Sequence, residues 1–211
     1  MVREFVAPLD ARGMQVCLVA SRYGRVVTDR LVAGARECLT QHGCREEEID
    51  LYWVPGSFEL SLVARQKAAT GRYDLILALG CIIRGDTTHF DYIAKEVSRG
   101  VAQVGWETGV PAIFGVITAE TLEQAVERSG VKGGGRGWEA AQAGIEMVHL
   151  LSEIPPASPG ASGTPSRSKA TPRRKTSKLR KTTPRGKTPA RRTTPARRRT
   201  TARRGAKRGR R

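Results

Sequence analysis

The chain has 211 residues and a formal net charge of +17, but residues 155–211 hold 21 Lys and Arg with no Asp or Glu, leaving residues 1–154 with 16 against 20, a net −4. A body of 154 residues is the size of one ordinary domain with a sizeable core, which excludes a two-domain enzyme. No apolar run approaches the roughly 18 residues that span a bilayer, and the start MVREFVAPLDARGM lacks the long apolar stretch of a secretory signal, so a cytoplasmic protein without membrane contact is expected.

From residue 14 the body alternates two periods. MQVCLVA (14–20) is a short apolar run that predicts a buried strand, and residues 26–42 repeat apolar positions at helical spacing, with Gly43 as the stop. IDLYWV (49–54) predicts a second strand, followed by a Pro55-Gly56 turn and a helix over 57–70 closed by Gly71. LILALGC (75–81) is a third strand, 91–107 a third helix, PAIFGVIT (111–118) a fourth strand and 122–128 a short helix. A glycine-rich loop follows, then a last helix over 138–151. Four apolar strands separated by helices imply a parallel sheet covered on both faces, an open doubly wound α/β domain. Ligands of such sheets sit beyond the carboxyl ends of the strands, so residues 21–25, 55–59, 81–89 and those after Thr118 are the segments to inspect.

GCIIRGDTTHFDY (80–92) packs Gly85, Asp86, Thr87, Thr88 and His89 into a turn that opens a helix. Amides and hydroxyls there suit an anion, and His89 suits proton exchange near neutral pH. The plainer alternative is that Thr87 or Thr88 caps the helix and His89 is a surface residue. VPGSFE (54–59) sets Phe58 and Glu59 at the end of strand two. Glu59 either accepts from ligand hydroxyls or only complements a helix dipole, and Tyr23 either stacks on a planar ring or simply packs. ERSGVKGGGRGWEAA (127–141) does not match a Walker loop. Within it Arg128, at a helix end, is better placed to reach an anion than Lys132 or Arg136, which read as parts of a flexible loop. Cys17, Cys38, Cys44 and Cys81 lack CxxC spacing and three of them fall in apolar patterns, so buried thiols are expected, with no metal site.

Together VPGSFE, ALGCIIRGDTTHFDYIAKEVSRG, TGVPAIFGVIT and EQAVERSGVKGGGRGWEAA closely resemble the lumazine synthase family over residues from about 14 to 152. The resemblance implies a flavodoxin-like, three-layer αβα fold and a transferase of riboflavin biosynthesis that uses no cofactor. Such enzymes condense 5-amino-6-(D-ribitylamino)uracil with 3,4-dihydroxy-2-butanone 4-phosphate to 6,7-dimethyl-8-ribityllumazine, phosphate and water. By resemblance, Tyr23, Ser57, Phe58, Glu59, Cys81, Ile82 and Ile83 would hold the pyrimidine and ribityl chain. Asp86, Thr87 and Arg128 would hold the butanone phosphate, and His89 would shuttle protons. Phe114 would arrive from a neighbouring subunit, on the opposite side of an intersubunit site from Arg128. The family's assemblies imply a pentamer, and the short loop implies a sixty-subunit shell. The chain departs from the family at Tyr23-Gly24, where Phe-Asn is usual, and at Gly133 to Gly135.

Residues 155–211 contain eight of the 11 prolines, no aromatic residue and Leu179 as the one large aliphatic, so a disordered tail is expected. The organisation expected is an N-terminal segment over 1–13, the α/β domain over 14–154 and the tail. Repeated Thr-Pro among Lys and Arg suits nonspecific, salt-sensitive binding of nucleic acid or another polyanion; a solubilising extension is the plainer alternative. An inactive shell or nucleic-acid-binding particle built on the same fold is the competing function.

Overall fold

A computed structural model describes residues 1–131 and 134–154. The expected tail over 155–211, and Lys132 and Gly133, lie outside the described residues. In chain order the elements are β1 (Val16–Ser21), α1 (Arg25–Gln41), β2 (Ile49–Val54), α2 (Leu60–Ala68), β3 (Leu75–Ile83), α3 (His89–Thr108), β4 (Ala112–Ala119), α4 (Leu122–Val126) and α5 (Arg136–Ser152). Short 3-10 turns at Glu46–Glu48 and Ser57–Glu59 precede β2 and α2, and a wide helical turn at Glu127–Val131 follows α4.

All four strands are parallel, in the order β2-β1-β3-β4. A parallel neighbour cannot be reached by a tight turn, so each crossover carries a helix that must cover a sheet face. Alternation along the strands divides the core in two. Val16, Leu18, Ala20, Leu75, Leu77 and Leu79 pack with α1 and α5 on one face, and Cys17, Val19, Ile76 and Ala78 pack with α2 and α3 on the other. The expected three-layer αβα architecture is what these residues form. All four cysteines are free, buried thiols.

Some ends differ from the sequence reading. β3 runs on to Ile83 because Ile82 and Ile83 pair with Thr118 and Ala119 of β4. α3 starts at His89 rather than residue 91, and α5 at Arg136 rather than 138. The second helix opens as a 3-10 turn, Ser57–Glu59, before α2 proper. α1 and α5 cross closely at Gly137, where a Cβ would strike the Leu31 backbone.

Before β1, the Ala11 amide donates to the His42 carbonyl at 2.8 Å and the His149 ring meets the Asp10 carbonyl at 2.6 Å, so residues 10 and 11 are tied to α1 and α5. Among the described residues no helix is long and apolar enough to cross a membrane.

Candidate active site

The strand order reverses between β1 and β3, and the loops leaving these two strands diverge to open a crevice beyond their carboxyl ends. The turn after β2 is fastened to both. The Arg22 and Tyr23 amides donate to the Val54 and Pro55 carbonyls at 2.8 and 3.2 Å, and the buried Ser57 hydroxyl donates to the Cys81 carbonyl at 3.2 Å. Gly80 leaves room for that hydroxyl, since a Cβ there would lie 2.8 Å from Ser57 Oγ and 3.0 Å from Leu60. Gly24, at φ 77°, adopts the left-handed conformation that lets the chain turn from Tyr23 into α1.

The resulting cavity has a volume of about 420 Å³ and is lined by Tyr23, Ser57, Phe58, Cys81, Ile82, Ile83, Thr87 and His89, with Phe90 and Ile93 behind them. Tyr23 is 76% exposed and Phe58 55%, so two aromatic rings stand open to solvent at the mouth. Burial pushes the Cys81 thiol up to about 11, which leaves it neutral at physiological pH, part of the wall rather than a nucleophile. His89 is exposed at the first position of α3, and its amide donates a long hydrogen bond, 3.4 Å, to the Thr87 hydroxyl oxygen. The loop thus satisfies one amide of the helix start itself.

Two residues read from the sequence as part of this set are not on the lining. Asp86 is exposed on the preceding loop. Glu59 turns back, its Oε2 accepting the Gly56 amide at 2.9 Å, and it borders a neighbouring groove with Phe58, Leu62 and Arg99. That is the helix-start role weighed against a ligand role from the sequence.

Phe114 and Arg128 lie elsewhere. Both line a second cavity of about 550 Å³, together with Thr118, Glu127, Arg136 and Glu139, and it shares no lining residue with the first. One chain thus brings Phe114 and Arg128 to one cavity, where the resemblance implied opposite sides of an intersubunit site. The cause is the turn after α4, where Arg128 Nη1 folds back to donate to the Thr118 carbonyl at 3.2 Å, beside the strand that carries Phe114. Arg136 joins them, its Nη2 donating to the Phe114 carbonyl at 3.0 Å and its Nη1 3.5 Å from Glu139. The sequence reads Arg136 as part of a flexible loop because the glycines before it hide the start of α5. Arg128 and Arg136 share this cavity with the carboxylates of Glu127 and Glu139, so its wall carries both signs of charge.

Residues 13–152 match the family model of 6,7-dimethyl-8-ribityllumazine synthase. The chain belongs to that family. Membership places it among the transferases of riboflavin biosynthesis, and the matched stretch contains both cavities and every strand of the sheet. Lumazine synthase motifs thus fall on both cavities, the first beyond the carboxyl ends of β1 and β3 and the second along β4.

Proposed function

We propose that the chain is itself a lumazine synthase, joining 5-amino-6-(D-ribitylamino)uracil to 3,4-dihydroxy-2-butanone 4-phosphate and releasing phosphate and water. The observation that carries the reading is the division of the ligand set. Aromatic rings, backbone groups and His89 line one cavity, while Phe114 and two guanidinium groups line another. Each is half of what the reaction needs. A homo-oligomer that sets the His89 cavity of one copy against the Arg128 cavity of the next completes the site, with a pentamer, or twelve pentamers in a shell, as the assembly.

In this reading Tyr23 and Phe58 stack on the pyrimidine, while Ser57 and the backbone of Cys81, Ile82 and Ile83 fix its edge and the ribityl chain. Glu59 keeps one oxygen on Gly56 and offers the other to ribityl hydroxyls. Thr87 and the loop amide of Asp86 hold the butanone phosphate on one side and Arg128 on the other. The amine attacks the ketone and water leaves, phosphate is then expelled, and the second amine closes the ring with loss of water. His89 carries protons between these steps. Alignment of the two substrates supplies most of the rate, since orientation is worth effective molarities of about 10⁵ M or more.

Residues 14–154 are the catalytic body in this account. Residues 155–211, with 21 Lys and Arg and no acid, bind a polyanion such as nucleic acid. Several tails on one oligomer raise avidity even where each binds weakly.

The test is lumazine formation, followed by its absorbance and fluorescence, with the full chain and with a form ending at Ile154. Equal turnover by both supports a catalytic body and a tail that serves partners. An assembled protein that makes no product instead supports a particle that has kept the fold without the chemistry.

A further inference from the structure

Arg84 lines neither cavity, yet it touches the elements that carry both. It follows β3, and its amide continues the sheet by donating to the Ala119 carbonyl at 3.0 Å. Its guanidinium then makes three further contacts. Nη1 and Nη2 grip both oxygens of Asp91 at 3.1 and 3.0 Å, Nε meets Glu120 at 2.7 Å, and the group lies 4.2 Å over the ring of Phe90. Phe90 and Asp91 are the two residues after His89 in the first turn of α3. Glu120 is two residues past Thr118, whose carbonyl receives Arg128.

We infer that Arg84 is a positioning residue of the proposed reaction, one that holds the first turn of α3 and thereby the His89 imidazole at the cavity mouth. The inference rests on the function proposed above. Geometry distinguishes it from an ordinary surface pair. A bidentate fork on Asp91 fixes direction as well as distance, and the ring of Phe90 blocks rotation on one side. The loop over residues 85–88 offers His89 little else, since its hydrogen bond to Thr87 is long and the Thr88 side chain does not cap the helix. Lysine would keep the charge but not the fork, so Arg84→Lys is the sensitive variant.

The test combines three readouts on the full chain. First, Arg84→Lys and Arg84→Ala are compared with wild type for kcat and KM. The expected result is a fall in kcat of about 10-fold or more with KM for both substrates within about 2-fold, at unchanged assembly, because proton transfer and not binding is misaligned. Second, each variant is combined with His89→Ala. If Arg84 acts through His89, its loss costs nothing further in that background, whereas a merely structural role gives additive losses. Third, the crystal structure of Arg84→Lys, or of Arg84→Ala where it assembles, is expected to show the His89 ring displaced or disordered. A ring unmoved in the variants overturns the inference, as does additivity in the double variant. A wild-type protein that makes no lumazine refutes the proposed function separately, and the His89 position in the variants still decides whether Arg84 holds it.

Discussion

Ser57 Oγ donates to the Cys81 carbonyl across 3.2 Å, joining the turn after β2 to the end of β3 over 24 residues of sequence. The bond ties the turn that carries Phe58 to the strand that carries Cys81, Ile82 and Ile83, all of which line the His89 cavity. Ser57→Ala is expected to cost about 1 kcal/mol, a fall in Tm of about 3 °C for a body of this size. Product affinity should fall with it, as the turn drifts from β3. Calorimetry and fluorescence titration of the lumazine check both, and an unchanged affinity would separate the bond from the site.

His89→Ala is expected to slow the reaction by about 10²-fold to 10⁴-fold without abolishing it, since proton transfer is one contribution and alignment of the substrates another. Single-turnover measurements on the assembled variant decide this. Complete loss of activity would show that His89 does more than move protons.

The four thiols should be slow to react in the native protein. Burial pushes Cys17 up to about 12 and Cys38, Cys44 and Cys81 up to about 11, so thiolate is scarce at neutral pH. Native protein treated with a thiol reagent at pH 7.5 is expected to label slowly at all four positions, and denatured protein quickly. Rapid native labelling confined to Cys81 would show that its cavity opens to solvent.

Acid should weaken the fold in a defined window. Hydrogen bonds from Arg12 pull Asp10 down to about 2, and Arg45 and Arg84 likewise pull Glu48 and Asp91 below the usual carboxylate range. A carboxyl whose folded value is depressed contributes stability above its unfolded value, and that contribution is lost as pH falls through the folded one. Tm is therefore expected to hold from neutrality to about pH 5 and to fall between about pH 4.5 and 2. Arg45→Ala should remove part of that fall. A Tm that rises on acidification in this window would contradict the pairings.

Much of the architecture was legible because buried parallel strands write themselves as continuous apolar runs. β2 has the limits read from the sequence, where the Pro55-Gly56 turn ends it. β3 ran two residues past its reading because pairing of Ile82 and Ile83 with β4 is a long-range fact. Glycines before Arg136 masked the start of α5, and with it the second guanidinium beside Phe114. The placement of Arg128 depended on the wide turn Glu127–Val131, which no periodicity announces. The role of Arg84 is not legible in the sequence for a related reason: its partners Asp91 and Glu120 come together only when β3, α3 and β4 are assembled.

The most direct test of a reaction carried out between two copies is complementation. Chains bearing His89→Ala and chains bearing Arg128→Ala are produced together, so that mixed oligomers form, and lumazine production is compared with each variant alone. If a site takes His89 from one copy and Arg128 from the next, random mixing leaves about a quarter of the sites intact, and activity should recover to about that share of wild type. Recovery no greater than the better single variant would contradict the account, placing the chemistry within one chain or nowhere in this protein.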